Sequence, residues 1–103
     1  MNISQGDQYG IPITIKINGE LATPDMFSNV EIVIGNIRKD MESGVTYSEA
    51  EKAWIFPVTQ QETIRHASKS QDGQVRVKFP SGDVYCASLG TVVINASLSK
   101  VVL

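Results

Sequence analysis

The sequence predicts an all-β domain built as a sandwich of two sheets. Large apolar residues recur at period two in four separate runs, Ile11–Asn18, Val30–Ile34, Trp54–Val58 and Gln74–Phe79. Turn signals separate these runs at short intervals, among them Asn18-Gly19, Glu42-Ser43-Gly44 and Ser81-Gly82-Asp83. Only one or two helical turns are signalled. Alternation of this kind marks half-buried strands, because successive side chains of a strand point to opposite faces.

In chain order, residues 1–10 are polar and glycine-bearing and read as a loose lead-in. Ile11, Ile13, Ile15 and Ile17 then face one way, with Pro12, Thr14, Lys16 and Asn18 opposite. Pro12 cannot donate to a ladder, so this strand should start at an edge. Asn18-Gly19 is a preferred hairpin dipeptide, followed by a short strand at Leu21-Ala22. Thr23-Pro24-Asp25 reads as a cap with proline at the first helical position, opening a single turn through Met26 and Phe27.

Val30 to Arg38 reads as one strand, with Val30, Ile32 and Ile34 on one face and Glu31, Val33, Gly35 and Ile37 on the other. Gly35 suggests a bulge or a close backbone approach. Val45-Thr46-Tyr47 is a short β-prone run, and Ser48–Lys52 is a polar turn. Trp54, Phe56 and Val58 share the inner face of the next strand, while Pro57 points away and suggests an edge or a strand end. Thr59-Gln60-Gln61-Glu62 has the spelling of a capping box and opens a helix from Gln60 to His66. The polar stretch Ser68–Gly73 reads as a loop.

Gln74–Phe79 is the cleanest alternation of all; Phe79–Val84 is a hairpin connection in which Gly82 supplies positive φ. Val84–Ser88 is the return strand, Leu89-Gly90 breaks it, and Thr91–Leu98 is the last strand. The predicted core is Ile13, Ile15, Val30, Ile32, Ile34, Trp54, Phe56, Val75, Val77, Phe79, Val84, Val92 and Ile94. Trp54–Phe79 holds the densest group of large apolar residues and is the expected centre of packing. About seven short strands in 103 residues match the immunoglobulin-like sandwich pattern, read as a single domain over 1–103. The cysteine–tryptophan–cysteine signature of antibody domains is absent, so the likeness is architectural.

The composition narrows function mainly by exclusion. A net charge of −2 leaves no basic footprint for nucleic acid or anionic lipid. A single cysteine, Cys86, cannot form an internal disulfide and fits a reducing compartment. No basic start followed by an apolar run marks a signal peptide, and no run approaches the ~20 apolar residues of a membrane helix. His66 is the single histidine and has no partner set around it, so it reads as a solvated surface residue. Cys86 reads as a small buried hydrophobe; with His66 it would leave a zinc site two ligands short. The acids Asp40, Glu42, Glu49, Glu51, Asp72 and Asp83 lack the spacing of a calcium loop and read as solvated. Asn2-Ile3-Ser4 and Asn95-Ala96-Ser97 spell glycosylation sequons without a secretory context. Arg76, Lys78 and Lys16 read as charges that keep outer faces soluble, with a rim contact to a partner as the alternative. No catalytic, cofactor-binding or metal-ligating residue is predicted, so the expectation is a non-enzymatic protein without a cofactor.

Several segments together resemble a known group. They are Gly6-Asp7 before the first strand, Asn18-Gly19-Glu20 with Thr23-Pro24, and Val30-Glu31-Ile32-Val33-Ile34-Gly35. Trp54-Ile55-Phe56-Pro57-Val58-Thr59-Gln60-Gln61-Glu62-Thr63 and Gln74–Phe79 with Gly82-Asp83-Val84 belong to the set, as does the close Leu98–Leu103. They resemble small tail-associated proteins of phages and prophages of Gram-positive bacteria, in the style of the immunoglobulin-like N-terminal domain of baseplate upper proteins. The resemblance implies a virion structural protein assembled in the bacterial cytoplasm. Its partners would be other tail or baseplate proteins, with a homo-oligomer as one form, and neither nucleic acid nor membrane. The alternative from another class is a carbohydrate- or ligand-binding module using a face with Tyr9, Tyr47 and Tyr85.

Overall fold

A computed structural model describes residues 2–17, 19–65 and 70–96, and within 87–94 it describes the backbone alone. The fold is an all-β sandwich. Its strands are β1 (Asn2–Ser4), β2 (Tyr9–Ile13), β3 (Lys16–Ile17), β4 (Glu20–Leu21), β5 (Asn29–Ile34), β6 (Ile37–Asp40), β7 (Thr46–Ser48), β8 (Ala53–Val58), β9 (Ser70–Lys78) and β10 (Val84–Asn95). One helix, α1 (Gln60–Arg65), and a 3-10 turn (Pro24–Met26) complete the described elements. The larger sheet has the order β1-β10-β9-β5-β6, the smaller β2-β8-β7, and β3 and β4 form a hairpin of their own. All pairs are antiparallel except β1 with β10.

The two sheets meet across the alternating residues that the sequence marks. Val30, Ile32 and Ile34 of β5 and Val75 and Val77 of β9 are buried with Ile11 and Ile13 of β2 and Trp54, Phe56 and Val58 of β8. Phe56, Val30, Ile32 and Ile34 are wholly inaccessible, and each such side chain contributes about 1.5–3 kcal/mol of burial. The Trp54 Nε1–H donates to the Ala22 carbonyl at 3.2 Å, which fixes the indole's orientation in the core. Of the predicted core, Phe79 is only partly buried and Val84 is 51% exposed. Val92 and Ile94 lie among the side chains outside the described set.

The local signals at turns and caps are realised closely. Thr59 and Glu62 form the reciprocal capping box: the Glu62 amide donates to Thr59 Oγ1 at 3.2 Å, and the Thr59 amide donates to Glu62 Oε1 at 2.9 Å. Gly82 sits at φ +98° in the β9–β10 connection, where its amide donates to the Phe79 carbonyl at 2.9 Å. Pro12 lies on β2, an edge strand. Pro57 lies on the middle strand of the smaller sheet, but β7 covers only Ala53–Ile55, so at Pro57 the strand has a neighbour on one side alone.

Five readings of the sequence are corrected, each by strand pairing. The lead-in is not loose: β1 pairs in parallel with residues 93–95, Ile3 is buried, and Thr63 of α1 fastens the next turn. Its Oγ1 accepts from the Gly6 amide at 2.9 Å and donates to the Asp7 carbonyl at 3.0 Å. The run from Ile11 divides after Ile13, because Ile13 pairs with Trp54 near the start of β8 and the ladder ends there. The run from Val30 reverses at Gly35-Asn36, with Gly35 at φ +59° and Ile34 paired to Ile37. This brings Ile37, on the polar face of a straight strand, round to the buried one. Finally, Ser70–Gly73 is strand rather than loop, and Leu89-Gly90 does not end the return strand. The two strands form one long hairpin whose register shifts between Ser88 and Gly90, a bulge in an otherwise continuous ladder.

Candidate functional site

The densest polar constellation lies on the outer face of the larger sheet. The register places Glu31 of β5 opposite Arg76 of β9 on one side and Asp40 of β6 on the other. Arg38, which pairs with Val33, stands diagonally across from Glu31. Cross-strand and diagonal neighbours on one face are within reach of long side chains. Glu31 is only 6% exposed, and each of its carboxylate oxygens accepts from a guanidinium Nε–H, Oε1 from Arg76 and Oε2 from Arg38. The Arg76 hydrogen bond holds the Glu31 carboxyl below the usual carboxylate range, with help from Arg38 and against the opposing effect of burial. Both arginines are raised in turn, chiefly by their bonds to Glu31.

The cluster continues to Asp40. Arg38 Nη2 donates to Asp40 Oδ2 at 3.1 Å, and Asp40 Oδ1 accepts from the amides of Glu42 and Ser43, both at 3.0 Å. Burial works to raise the Asp40 carboxyl, but hydrogen bonds from Ser43, Arg38 and Glu42 outweigh it and the group is held low. Glu31 and Asp40 are therefore fixed acceptors at neutral pH rather than proton carriers. The arrangement ties β5, β6 and β9 in register. Beside it lies a shallow depression of about 160 Å³ bordered by Asn29, Glu31, Arg76, Lys78 and Val84. A second, of about 320 Å³, lies between Asn36, Arg38, Glu62 and Arg65. Small-molecule pockets run to roughly 300–1,000 Å³, so the first is below that range and the second at its floor.

The second feature is a chain of aromatic rings from core to surface. Tyr47 meets Trp54 edge to face at 5.3 Å between centroids. Trp54 meets Phe27 at 6.0 Å, Phe27 meets Phe79 at 5.3 Å, and Phe79 meets Tyr85 at 5.2 Å. The tilted and edge-on geometry is the one favoured by the ring quadrupoles. The chain emerges at the turn end of the β9–β10 hairpin, where Tyr85 is 58% exposed beside exposed Val84.

The structure places the sequence candidates as follows. His66 lies outside the described residues. Cys86 is exposed, which corrects its reading as a buried hydrophobe: it pairs with Arg76, just as Val84 pairs with Lys78, so both sit on the outer, charged face. Arg76 is bound to Glu31, while Lys78 and Lys16 are exposed. Glu42, Glu49, Glu51, Asp72 and Asp83 are exposed, but Asp40, read as solvated, is buried, because Arg38 and the amides of Glu42 and Ser43 satisfy its carboxylate; no group of three or more potential metal ligands occurs among the described residues. Asn2 and Asn95 lie in the paired strands β1 and β10. The three tyrosines share no platform. Tyr9 pairs with Val58 and Tyr47 with Trp54, at opposite ends of β8, about 13 Å apart along the strand. Tyr85 belongs to the other sheet, and three rings stand between it and Tyr47.

Sequence reasoning missed the Glu31 cluster. Its only trace was a glutamate on the nominal outer face of one strand and an arginine on that of another, and the register that joins them is not written in either segment. No protein-family model, curated protein or solved structure matches the chain.

Proposed function

We propose that this chain is a non-enzymatic structural protein of a phage or prophage tail, baseplate-like in role, that acts through protein–protein contacts. The observation that carries the reading is the turn end of the β9–β10 hairpin. Val84, on the otherwise largely charged outer face, and Tyr85, opposite Val77 on the inner face, stand in solvent there, at 51% and 58% exposure. Apolar side chains held rigidly at the rim of a sandwich suit docking against a neighbour. The residues behind the tail-protein resemblance support the scaffold part of the reading: Trp54, Phe56, Val75 and Val77 are core, and Thr59 and Glu62 form a cap. In this reading the protein is made in the bacterial cytoplasm and joins the particle there, with other tail or baseplate proteins as partners.

Particles purified from cells carrying the gene supply the test. Quantitative mass spectrometry should find the chain at a fixed ratio to tail proteins, and neighbouring genes should encode tail, tape-measure, holin or lysin proteins. Intact, infective particles that lack the chain would overturn the proposal.

A further inference from the structure

The smaller depression on the outer face of the larger sheet is bordered by donors that the fold leaves unused. Asn29 of β5, Lys78 of β9 and Val84 of β10 form one cross-strand row, and Glu31, Arg76 and Cys86 form the next. Arg38 of β6 completes the lining. Arg76 and Lys78 stand two residues apart on one face of β9, roughly 7 Å along the strand. Lys78 is exposed, and the side chains of Arg76 and Arg38 are 49% and 54% accessible.

The hydrogen-bonding capacity of this lining is one-sided. A guanidinium has five N–H donors. Arg76 gives its Nε–H to Glu31 Oε1, and neither of its Nη atoms has an acceptor among the described residues. Arg38 gives its Nε–H to Glu31 and one Nη2 hydrogen to Asp40, which leaves Nη1 without an acceptor there. Lys78 enters no ion pair among the described residues. The side-chain acceptors are already engaged. Each Glu31 oxygen takes a guanidinium, and Asn29 Oδ1 takes the amides of Val30 at 2.9 Å and Met41 at 3.3 Å. A sugar hydroxyl both donates and accepts, and a cation needs open carboxylates. A surface of unused donors matches a group that only accepts, which is an anion.

Charge and size select the anion. Three cations, Arg38, Arg76 and Lys78, face two carboxylates, Glu31 and Asp40, which leaves one positive charge. A single carboxylate balances it. A phosphate dianion would exceed it, and a nucleic acid would meet a chain of net charge −2. At about 160 Å³ the depression is below the range of small-molecule pockets, so it suits one side chain of a larger partner. Val84, 51% exposed on its border, offers an apolar contact beside the charged one.

We propose that this depression docks an acidic segment of a partner protein, one Asp or Glu carboxylate bridging Arg76 and Lys78 while an apolar neighbour covers Val84. The inference rests on the reading of the protein as one that works by protein contact, and it names the surface and the chemistry of the partner. Glu31 forms the site in advance. It holds both arginines by their Nε atoms, so less side-chain freedom is lost when a carboxylate arrives, and the Nη atoms of Arg76 remain for a two-point bond.

The experiment titrates the isotope-labelled full chain by amide NMR with the blocked peptide acetyl-Glu-Val-Glu-amide. A contact this small half-saturates on the order of 1 mM, so the titration runs to about 10 mM. The amides of Arg76, Lys78, Val84 and Cys86 should shift and saturate. Acetyl-Gln-Val-Gln-amide should shift none of them, and acetate and inorganic phosphate should bind about threefold more weakly or worse, since neither covers Val84. Lys78→Glu should raise Kd about fivefold or more. Lys16→Glu makes the same change of charge on β3 and should leave Kd within about twofold, because distant exposed charges are screened. Arg76→Lys keeps the charge but not the fork and should weaken binding as well. Absence of shifts at these amides overturns the proposal, as does equal binding of the glutamine peptide, acetate or phosphate. Equal weakening by Lys16→Glu and Lys78→Glu overturns it too. If Arg76→Lys misfolds, Lys78→Glu decides, its side chain being exposed and outside the ion pairs. Recovery of the chain in tail particles does not depend on any of these outcomes, so the two proposals fail separately.

Discussion

Replacing Trp54 by phenylalanine tests the packing at the middle of the sandwich without emptying it. The indole is 1% exposed, lies between Tyr47 and Phe27, and donates to the Ala22 carbonyl at 3.2 Å. Phenylalanine keeps one ring between its neighbours but removes the donor. Ala22 is itself buried, and leaving a buried acceptor unpaired costs about 1–3 kcal/mol. The missing part of the indole removes roughly two buried carbons, about 1–1.5 kcal/mol more. The expected loss is about 2–4 kcal/mol, against the 5–15 kcal/mol total stability typical of a domain. Trp54→Ala should cost about 3–5 kcal/mol and leave the domain near its unfolding threshold. Urea unfolding followed by far-ultraviolet circular dichroism measures both, because the parent's only tryptophan is lost in the variants. With a slope of ~1–3 kcal/mol per molar, the midpoint of Trp54→Phe should fall by about 1–2 M at unchanged slope. A shift below about 0.3 M, under 1 kcal/mol at any such slope, would show that neither the hydrogen bond nor the packing has the assigned role. Native-like melting of Trp54→Ala would refute a core position outright.

Other consequences concern separate parts of the fold. Thr59→Ala should destabilise by about 0.5–2 kcal/mol, and a double-mutant cycle with Glu62→Ala should show coupling, since each residue satisfies the other's amide. Gly10→Ala should cost about 1–3 kcal/mol in the same unfolding assay, because an added Cβ would meet Ile55 Cγ2 at 2.5 Å and a β-branched side chain has little room to yield. Tyr85→Ala should change stability by less than about 1 kcal/mol, its ring being 58% exposed at the end of the aromatic chain. The folded-state pKa of Glu31 lies below its ordinary value, so the unfolded state binds more protons and stability rises with pH through that window. The contribution is complete above the unfolded value of ~4.3 and disappears as pH falls through the folded one. Thermal midpoints between about pH 2 and 6 should therefore drop less steeply for Glu31→Gln than for the parent.

What the sequence disclosed depends on whether a feature is local. The capping box, the Gly82 turn, the proline-led turn after Thr23 and the inward sets of β5, β8 and β9 each follow from a few adjacent residues and appear as read, except that Thr23 makes no side-chain cap bond, its hydroxyl donating to Asp25 instead, and Phe79 is only partly buried. The failures cluster where a partner strand decides. Gly35-Asn36 was a hairpin signal, yet the apolar residues on both sides of it made a continuous strand equally consistent with the pattern. Ile37 was the clue: its burial requires the chain to reverse. The Glu31 cluster needs three strands in register, and none of the three segments contains that information. Propensity also yielded to pairing in β9, where Ser70, Gln71, Asp72 and Gly73 read as loop but lie opposite residues 90–93 of β10.

The strand β10 shows why alternation cannot supply function here. Val84-Tyr85-Cys86 is apolar throughout, so its inner face cannot be chosen from composition, and Val84 was assigned inward. Register settles the parity: Val84 and Cys86 stand opposite Lys78 and Arg76, and Tyr85 stands opposite buried Val77. Yet Tyr85 is still 58% exposed, although it shares the inner face of the sheet. At this end Phe79 meets it edge to face, with Phe27 behind Phe79. A continuous apolar run normally marks a strand covered on both faces. Here Val84 and Cys86 are exposed on the outer face, Tyr85 is exposed on the inner one, and most of one edge has no described neighbour. Burial among the described residues does not account for that composition at the Val84 end, and it is from there that the proposed assembly role takes its support.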